Sequence, residues 1–396
     1  MKIKIVERIK GDDLGPQMIL HWYSPEIKCR GVVVVDTTIS GKSAGGTRML
    51  SDISTEEIFA LAREMTFKYA TMGRPRGGGK AGIWADPANM SLARRESIMR
   101  AFGKAIKPLS QAEIFFAGAD MGTHHTDLVW VREETGVATP LPKFWLEEKD
   151  GESLDYHFTG YGVVVAAQAG CEFLGMDISK TKVAIEGFGK VGSGVARYAA
   201  ELGAKVVAVS TIKGAIYNEK GLDVGRLIEL RKQFDDDLVL KYDQAKAIKK
   251  ERLFHLPIDI LIPGSRPWLI HEKNVDKIQA KLISSGANIP ITEKAEERLY
   301  KKKVTVIPGF ISNSGGALSS QYGGLNASVE DTFRGIKKII GDNTLDVLRA
   351  ASQVKVSPMK LAKHRAIETI SRWNAKGAPT EEEYAQKLRK AAGMIP

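Results

Sequence analysis

Cysteine is scarce: the 396 residues hold two, Cys29 and Cys171, far apart in the chain. That leaves no disulfide framework and no metal-ligand spacing, and it fits a reducing cytoplasm. Long apolar runs are missing too. No stretch reaches the roughly 18 residues a bilayer span needs, and the opening MKIKIVERIK alternates charge with apolar residues, against a membrane helix or a secretory signal. The expectation is a cytoplasmic protein without membrane association. Internal repeats and low-complexity tracts are likewise absent. The net charge of +11 raises the question of nucleic acid, but an aromatic-interleaved basic stripe is lacking. Basic residues are dispersed, with short clusters only at 249–252 (KKER) and 301–303 (KKK), as on a solvated lysine-rich surface. His124 and His125 have no third ligand at metal spacing, and adjacent side chains diverge on most backbones, so no metal site is expected.

What remains is an ordinary globular composition, 43% hydrophobic and 27% charged, on a chain long enough for two domains. Residues 76–83 read RGGGKAGI, with Lys80 set after three glycines. Glycine loses more backbone entropy on folding than any other residue, so such a run marks close approach or unusual φ. A phosphate-binding Walker loop fails here: the lysine is followed by Ala81 where Ser or Thr is needed.

Residues 1–50 read as strands and turns, with MILHWYSP followed by RGVVVVDTTI. STEEIFALAREMTFKYAT reads as a helix, with Ser54 and Glu57 at capping-box spacing and Ile58, Leu61, Met65 and Tyr69 on one apolar stripe. Lys68 lies at the edge of that stripe, either a surface lysine or one aimed into a cleft. A second helical segment covers residues 91–107. Next, AEIFFAGADMGT is a short strand running into a turn that carries Asp120, and residues 140–158 read as a connector.

The strongest local signal follows. KVAIEGF is a buried strand, Gly187, Gly189 and Gly192 form G-x-G-x-x-G at its end, a helix continues, and AKVVAVS is a second strand. Strand, glycine turn, helix and strand together make a dinucleotide site, with Phe188, Lys190 and Val191 in the turn and the helix N-terminus facing the pyrophosphate. Further short strands alternate with helices as in a doubly wound parallel sheet. The second strand ends Ser210-Thr211-Ile212-Lys213, without the carboxylate that bonds an NAD ribose. Hydroxyls plus a lysine suit a 2′-phosphate, so NADP is expected ahead of NAD. From Thr344 the tail reads as largely helical.

Together these segments resemble the glutamate/leucine/phenylalanine/valine dehydrogenase family over nearly the whole chain. The resemblance rests on DTTISGKSAGGTRM (36–49), MTFKYA (65–70), GGGKAGI (77–83), ADMGT (119–123), TGYGVVVAA (159–167), GFGKVGSGVA (187–196), GAIYNEKGLD (214–223), GANIPIT (286–292) and NSGGALS (313–319), in that order. It implies oxidative deamination of an L-amino acid to a 2-oxo acid and ammonia, with hydride passing to a nicotinamide. It implies two domains: a substrate and oligomerisation domain over 1–150, joined by the C-terminal helices 344–396, and a Rossmann-type dinucleotide domain over 151–343. It places the active site in the cleft between them and implies a homo-oligomer.

By the same resemblance Lys68 takes the substrate α-carboxylate and Lys80 is catalytic, a poorly solvated lysine whose lowered pKa lets it act as a base. The glycines at 77–79 then bring backbone close to the substrate and to this lysine. Asp120 matches the carboxylate that moves a proton at the amino nitrogen, and Thr159, Asn288 and Asn313 match positions at the nicotinamide and its ribose. For the side-chain pocket, glutamate enzymes carry a lysine before the Gly45-Gly46 pair; this chain has Ala44. The other matching positions, Gly118, Ala317 and Ser320, are also small, which predicts a roomy pocket and a bulky, apolar or aromatic substrate. Arg74 and Arg76 depart from the pattern and add positive charge before the glycines; Ser314 replaces the commoner alanine. The alternatives are a glutamate dehydrogenase with a rearranged pocket, or a non-catalytic relative that binds nucleic acid or a protein partner.

Overall fold

The computed structural model describes residues 11–88, 90–137, 148–149 and 152–396. The chain divides into two compact units, Met1–Leu141 with Arg365–Tyr384, and Pro142–His364 with Ala385–Pro396. The C-terminal residues are thus shared out between the units, a division the sequence does not announce.

In the first unit, β1 (Met18–Ser24), β2 (Cys29–Val35), β3 (Ser43–Leu50), α1 (Thr55–Met72), β4 (Gly77–Trp84), α2 (Leu92–Gln111), β5 (Phe115–Ala119) and α3 (Asp127–Thr135) follow in turn. The strands form one sheet in the order β1-β2-β4-β3-β5. The β1–β2 and β2–β4 pairs are antiparallel, and β3 runs parallel to both β4 and β5. Helix α1 begins where the capping signal places it: Ser54 Oγ accepts from the Glu57 N–H at 3.1 Å. Its stripe of Ile58, Leu61, Met65 and Tyr69 is buried. Helix α2 runs past Lys107 and through Pro108 to Gln111. On the other side of the sheet, Val33, Val35, Met49, Ile83 and Phe115 pack with Ile98, Phe102 and Ile106 of α2 and Leu128 and Val131 of α3.

In the second unit the connector read at residues 140–158 falls mostly outside the described residues; it includes a short hairpin, β6 (Glu148–Lys149) and β7 (Glu152–Ser153). Helix α4 (Asp155–Phe173) starts four residues before Thr159. After it come β8 (Lys182–Glu186), α5 (Lys190–Glu201), β9 (Lys205–Thr211), β10 (Gly214–Tyr217), α6 (Val224–Phe234), α7 (Leu238–Lys241), β11 (Lys246–Ile248), β12 (Ile260–Pro263), β13 (Leu282–Ser284), α8 (Glu293–Lys301) and β14 (Thr305–Ile307). Helices α9 (Gly309–Ser312), α10 (Gly315–Gly324), α11 (Val329–Val354), α12 (Pro358–Lys376) and α13 (Glu381–Ala391) complete the chain.

The sheet order β11-β10-β9-β8-β12-β13-β14 has β8 at the switch point, where sequential strands depart to either side. Strands β8, β9, β12, β13 and β14 are mutually parallel, while β10 and β11 form an antiparallel edge. This is the Rossmann-type architecture the strand pattern predicts. Tyr161 of α4, Tyr198 of α5 and Phe333 of α11 stack edge-on or tilted, with ring centroids 4.8–5.9 Å apart, and lock these helices together. Among the described residues no helix is long and apolar enough to cross a membrane.

Candidate active site

Strand register decides which side chains of the first unit share a face. Ala44 pairs with Gly78 on one side and Phe116 on the other, and Gly46 pairs with Gly118. Alternate residues of a strand point the same way, so Ala44, Gly46 and Arg48 of β3, Gly78 and Lys80 of β4, and Phe116 and Gly118 of β5 line one face, with Asp120 just past β5. Helix α1 covers part of that face. A Cβ on Gly78 would collide with the Ala62 carbonyl and the Thr66 N–H of α1.

The glycine run therefore answers to protein neighbours. Besides α1 at Gly78, the Thr37 carbonyl crowds Gly77, and the Phe115 ring lies 2.8 Å from where a Gly79 Cβ would be. The expectation that these glycines bring backbone to a substrate is replaced by a packing role. Their value for the site is indirect: α1 lies close enough for its Lys68 to feel the charge of Lys80. Gly46 plays the nearer part. A Cβ there would stand 2.7 Å from Asp120 Cβ and 3.1 Å from Lys80 Nζ.

Lys68, Lys80 and Asp120 do come together. Lys80 Nζ lies 2.8 Å from Asp120 Oδ2, with the lysine 3% and the carboxylate 20% exposed. Arg48 completes the group, donating from Nε to the same Asp120 oxygen at 3.1 Å and from Nη1 to Glu57 Oε1 at 2.7 Å. Burial disfavours the charged form of both lysines. It pushes Lys68 down from 10.5 to about 8, helped by the charge of Lys80 and opposed by Glu64 and Asp120. Lys80 is also lowered, first by burial and then by Arg48, against the pull of Asp120. For Asp120 burial acts the other way, yet Arg48 and Lys80 outweigh it and hold the carboxyl well below the usual range. The site thus pairs an anion fixed at all ordinary pH with two lysines that shed protons more readily than exposed ones.

Arg74 and Arg76 are engaged within this unit. Arg74 stacks on Tyr69 at 4.8 Å and Arg76 on Phe116 at 4.7 Å, and Arg76 Nη2 is 2.9 Å from Glu381 Oε1. Phe116 is the register partner of Ala44, so the Arg76 guanidinium sits one strand from the small residue where glutamate enzymes carry lysine. Gly118 is under no comparable constraint: the atom nearest to a Cβ there is the Gly45 carbonyl oxygen at 3.5 Å.

In the second unit the three fingerprint glycines divide the work. Gly187 takes a left-handed turn with φ of 88°. Gly192 lets α5 pack on β8, because a Cβ would strike the Gly187 carbonyl. Gly189, at the N-terminus of α5, would have nothing within 4 Å of its Cβ. No protein neighbour demands glycine there, so the bare backbone at a helix N-terminus fits a pyrophosphate. Lys190 and Val191 open α5 behind it. The β9 end is less open than the sequence suggests. Ser210 is buried and its Oγ accepts from the Gly187 N–H at 3.1 Å, while its carbonyl accepts from the Phe188 N–H at 2.6 Å. Thr211 Oγ1 donates to the Asp236 carbonyl at 2.7 Å. Lys213 is half exposed, its Nζ 3.7 Å from Asp237 Oδ1. Elsewhere Gly309 lies against the Asn288 carbonyl and Asn313, Asn313 Nδ2 donates to the Ala287 carbonyl at 2.9 Å, and Gly316 lies against Thr159 Oγ1. On α10, Ala317 is half-buried and Ser320 exposed.

Two family models match, and between them they span both halves of this arrangement: "Glutamate/Leucine/Phenylalanine/Valine dehydrogenase" over residues 151–376, and "Glu/Leu/Phe/Val dehydrogenase, dimerisation domain" over residues 26–136. The chain belongs to this family. It is an amino-acid dehydrogenase. Its curated relatives include a glutamate dehydrogenase of Thermotoga maritima, 34% identical over 74% of this chain and 71% of that one. Another is an NADP-specific glutamate dehydrogenase of Saccharolobus shibatae, 30% identical over 80% of this chain and 74% of the other. The fold recurs in the hetero-hexameric glutamate dehydrogenase of Thermus thermophilus, with a TM-score of 0.78 and 24% identity over 89% of each chain. It recurs also in the L-tryptophan dehydrogenase of Nostoc punctiforme, with a TM-score of 0.63 and 23% identity over 91% of this chain and 98% of that one.

The sequence reading of this dehydrogenase missed Arg48, whose only signal is a charge inside the otherwise apolar and small GGTRML strand, and gave Glu57 of α1 only a capping role. It also missed Glu186, the last residue of β8, which accepts from Ser265 Oγ at 2.7 Å and from the Ser265 N–H at 3.2 Å. Asp236 and Asp237 were missed at the β9 end because they arrive from the far side of α6.

Proposed function

We propose that the chain catalyses reversible, NADP-preferring oxidative deamination of a bulky apolar or aromatic L-amino acid to its 2-oxo acid and ammonia. The observation that carries the reaction is the pairing of Lys80 and Asp120 on one sheet face with Lys68 of α1 near enough to feel both charges, two depressed lysines beside a fixed carboxylate. In this reading Lys68, as an ammonium, binds the substrate α-carboxylate. Asp120 takes the amino group's N–H and passes a proton at that nitrogen, holding it only briefly. Lys80, neutral, accepts a proton from the water that adds to the imine carbon, and returns it as ammonia leaves. Gly187–Gly192 would hold the dinucleotide, whose nicotinamide would supply the hydride acceptor. Thr159, Asn288 and Asn313 are the residues assigned to its nicotinamide end.

The NADP preference rests on Lys213 and on the absence of a carboxylate within the β9 end itself; relatives named NADP-specific and NAD-specific both occur. The substrate class rests on Ala44 and Gly118, both small, and on the Phe116 ring as a neighbouring wall. A second reading, glutamate, is favoured by Arg76, whose guanidinium rests on Phe116 next to the Ala44 position. The names of the curated relatives point the same way. A homo-oligomer is proposed from the matched dimerisation domain. Turnover of a panel of L-amino acids with each dinucleotide tests the whole: aromatic or branched substrates support the first reading and glutamate the second.

A further inference from the structure

Among the described residues of the first unit, one deeply buried ion pair has been given no catalytic step. Arg48 on β3 and Glu57 in the first turn of α1 have side chains only 5% and 7% exposed. Burying such a pair is costly and, as a stability device, inferior to apolar packing. Its placement is specific: the guanidinium fork spans two carboxylates, Glu57 Oε1 at 2.7 Å and Asp120 Oδ2 at 3.1 Å. Lys80 Nζ reaches that same Asp120 oxygen at 2.8 Å. A guanidinium keeps its charge at any pH of interest, whereas a buried lysine does not.

We propose that Arg48, braced by Glu57, is a positioning residue of the deamination site: it orients the Asp120 carboxylate and competes with Lys80 for the same oxygen. The inference rests on the dehydrogenase reading above. With Arg48 present, Asp120 is already half satisfied and the Lys80 proton is held less tightly. Glu57 limits the effect by drawing part of the guanidinium charge away. The charged groups facing Asp120 and Lys80 are Arg48 from β3, Lys68 and Glu57 from α1, and each other, with Glu64 of α1 acting on Lys68. Removing the positive charge at residue 48 and removing the negative charge at residue 57 therefore push Lys80 in opposite directions.

The test is the pH profile of kcat/KM for oxidative deamination in Arg48→Met, Arg48→Lys and Glu57→Gln. In Arg48→Met the alkaline-rising limb shifts up by about one pH unit, and kcat falls roughly 10–100-fold as Asp120 loses its orientation. The amino-acid KM changes little, since Lys68 is untouched. Glu57→Gln keeps a hydrogen-bond acceptor for Arg48 and guards against a misfolded Arg48 variant; its limb shifts to lower pH. Arg48→Lys restores charge without the two-carboxylate fork and recovers the limb position but only part of kcat. Limbs that stay put in both charge-removing variants, limbs that move the same way, or effects confined to KM overturn the proposal. Failure of the wild-type protein to turn over any amino acid overturns instead the reading beneath it. In that event the pH dependence of Lys80 acylation, read by peptide mass spectrometry, gives the same opposed shifts or refutes them.

Discussion

Replacing Lys68 by methionine should stabilise the protein at neutral pH and lose that advantage as the solution becomes alkaline. Lys68 is buried in α1, and burial with the nearby Lys80 charge lowers it from 10.5 to about 8. Between those two values the unfolded chain carries a proton that the folded one has released, so wild-type stability rises with pH through that window. A gap of about 2.5 pH units at 1.36 kcal/mol each amounts to about 3 kcal/mol. Methionine has similar length and no charge, so the variant lacks this rise. The stability difference, variant minus wild type, is then largest below pH 8 and shrinks by about 3 kcal/mol towards pH 10.5. Urea unfolding of both proteins at fixed salt and protein concentration, at several pH values from 7 to 10.5, measures it; background titrations cancel in the subtraction. A difference that is flat with pH, or that widens, would refute the claim that burial holds Lys68 as a poorly solvated cation.

Further outcomes follow from the same geometry. Lys80→Met should lower kcat roughly 10²–10⁴-fold while leaving the amino-acid KM within a few-fold, as steady-state kinetics would show; an unchanged kcat would remove Lys80 from the chemistry. Because carboxylate binding needs protonated Lys68, the amino-acid KM should rise as pH climbs above about 8, and a KM constant to pH 10 would argue against that contact. Gly189→Val should abolish NADPH binding, followed by fluorescence, with little loss of thermal stability, since nothing lies within 4 Å of the added Cβ. Retained binding would displace the pyrophosphate from that turn. Arg76→Leu should leave turnover of an apolar amino acid nearly unchanged, whereas a selective loss of glutamate turnover would establish Arg76 as the reader of a second carboxylate.

Much of this was legible in the residues, for reasons that can be named. The cap at Ser54, the stripe through Ile58 and Tyr69, and the glycine fingerprint after KVAIE are local signals, and each appears where its period or spacing puts it. The meaning of the glycine run was not legible, because its neighbours, Thr37, α1 and Phe115, come from three separate segments. For the same reason Arg48 gave little warning: its two carboxylate partners lie 9 and 72 residues away. At the β9 end, Ser210 and Thr211 read as free hydroxyls, yet both serve the fold, and Lys213 has the Asp237 carboxylate, from beyond α6, 3.7 Å away. Short-range pattern reveals elements and fingerprints; pairings that depend on sheet register emerge only from the fold.

The most direct test of the central claim is reduction of NADP and of NAD, read by nicotinamide absorbance, across the L-amino acids and in reverse with their 2-oxo acids and ammonia. The account predicts turnover of Phe, Trp, Tyr or Leu with NADP preferred, abolished in Lys80→Met. Turnover of glutamate alone would contradict the pocket argument, and no turnover with any pair would contradict the assignment of Lys68, Lys80 and Asp120 as working catalytic machinery.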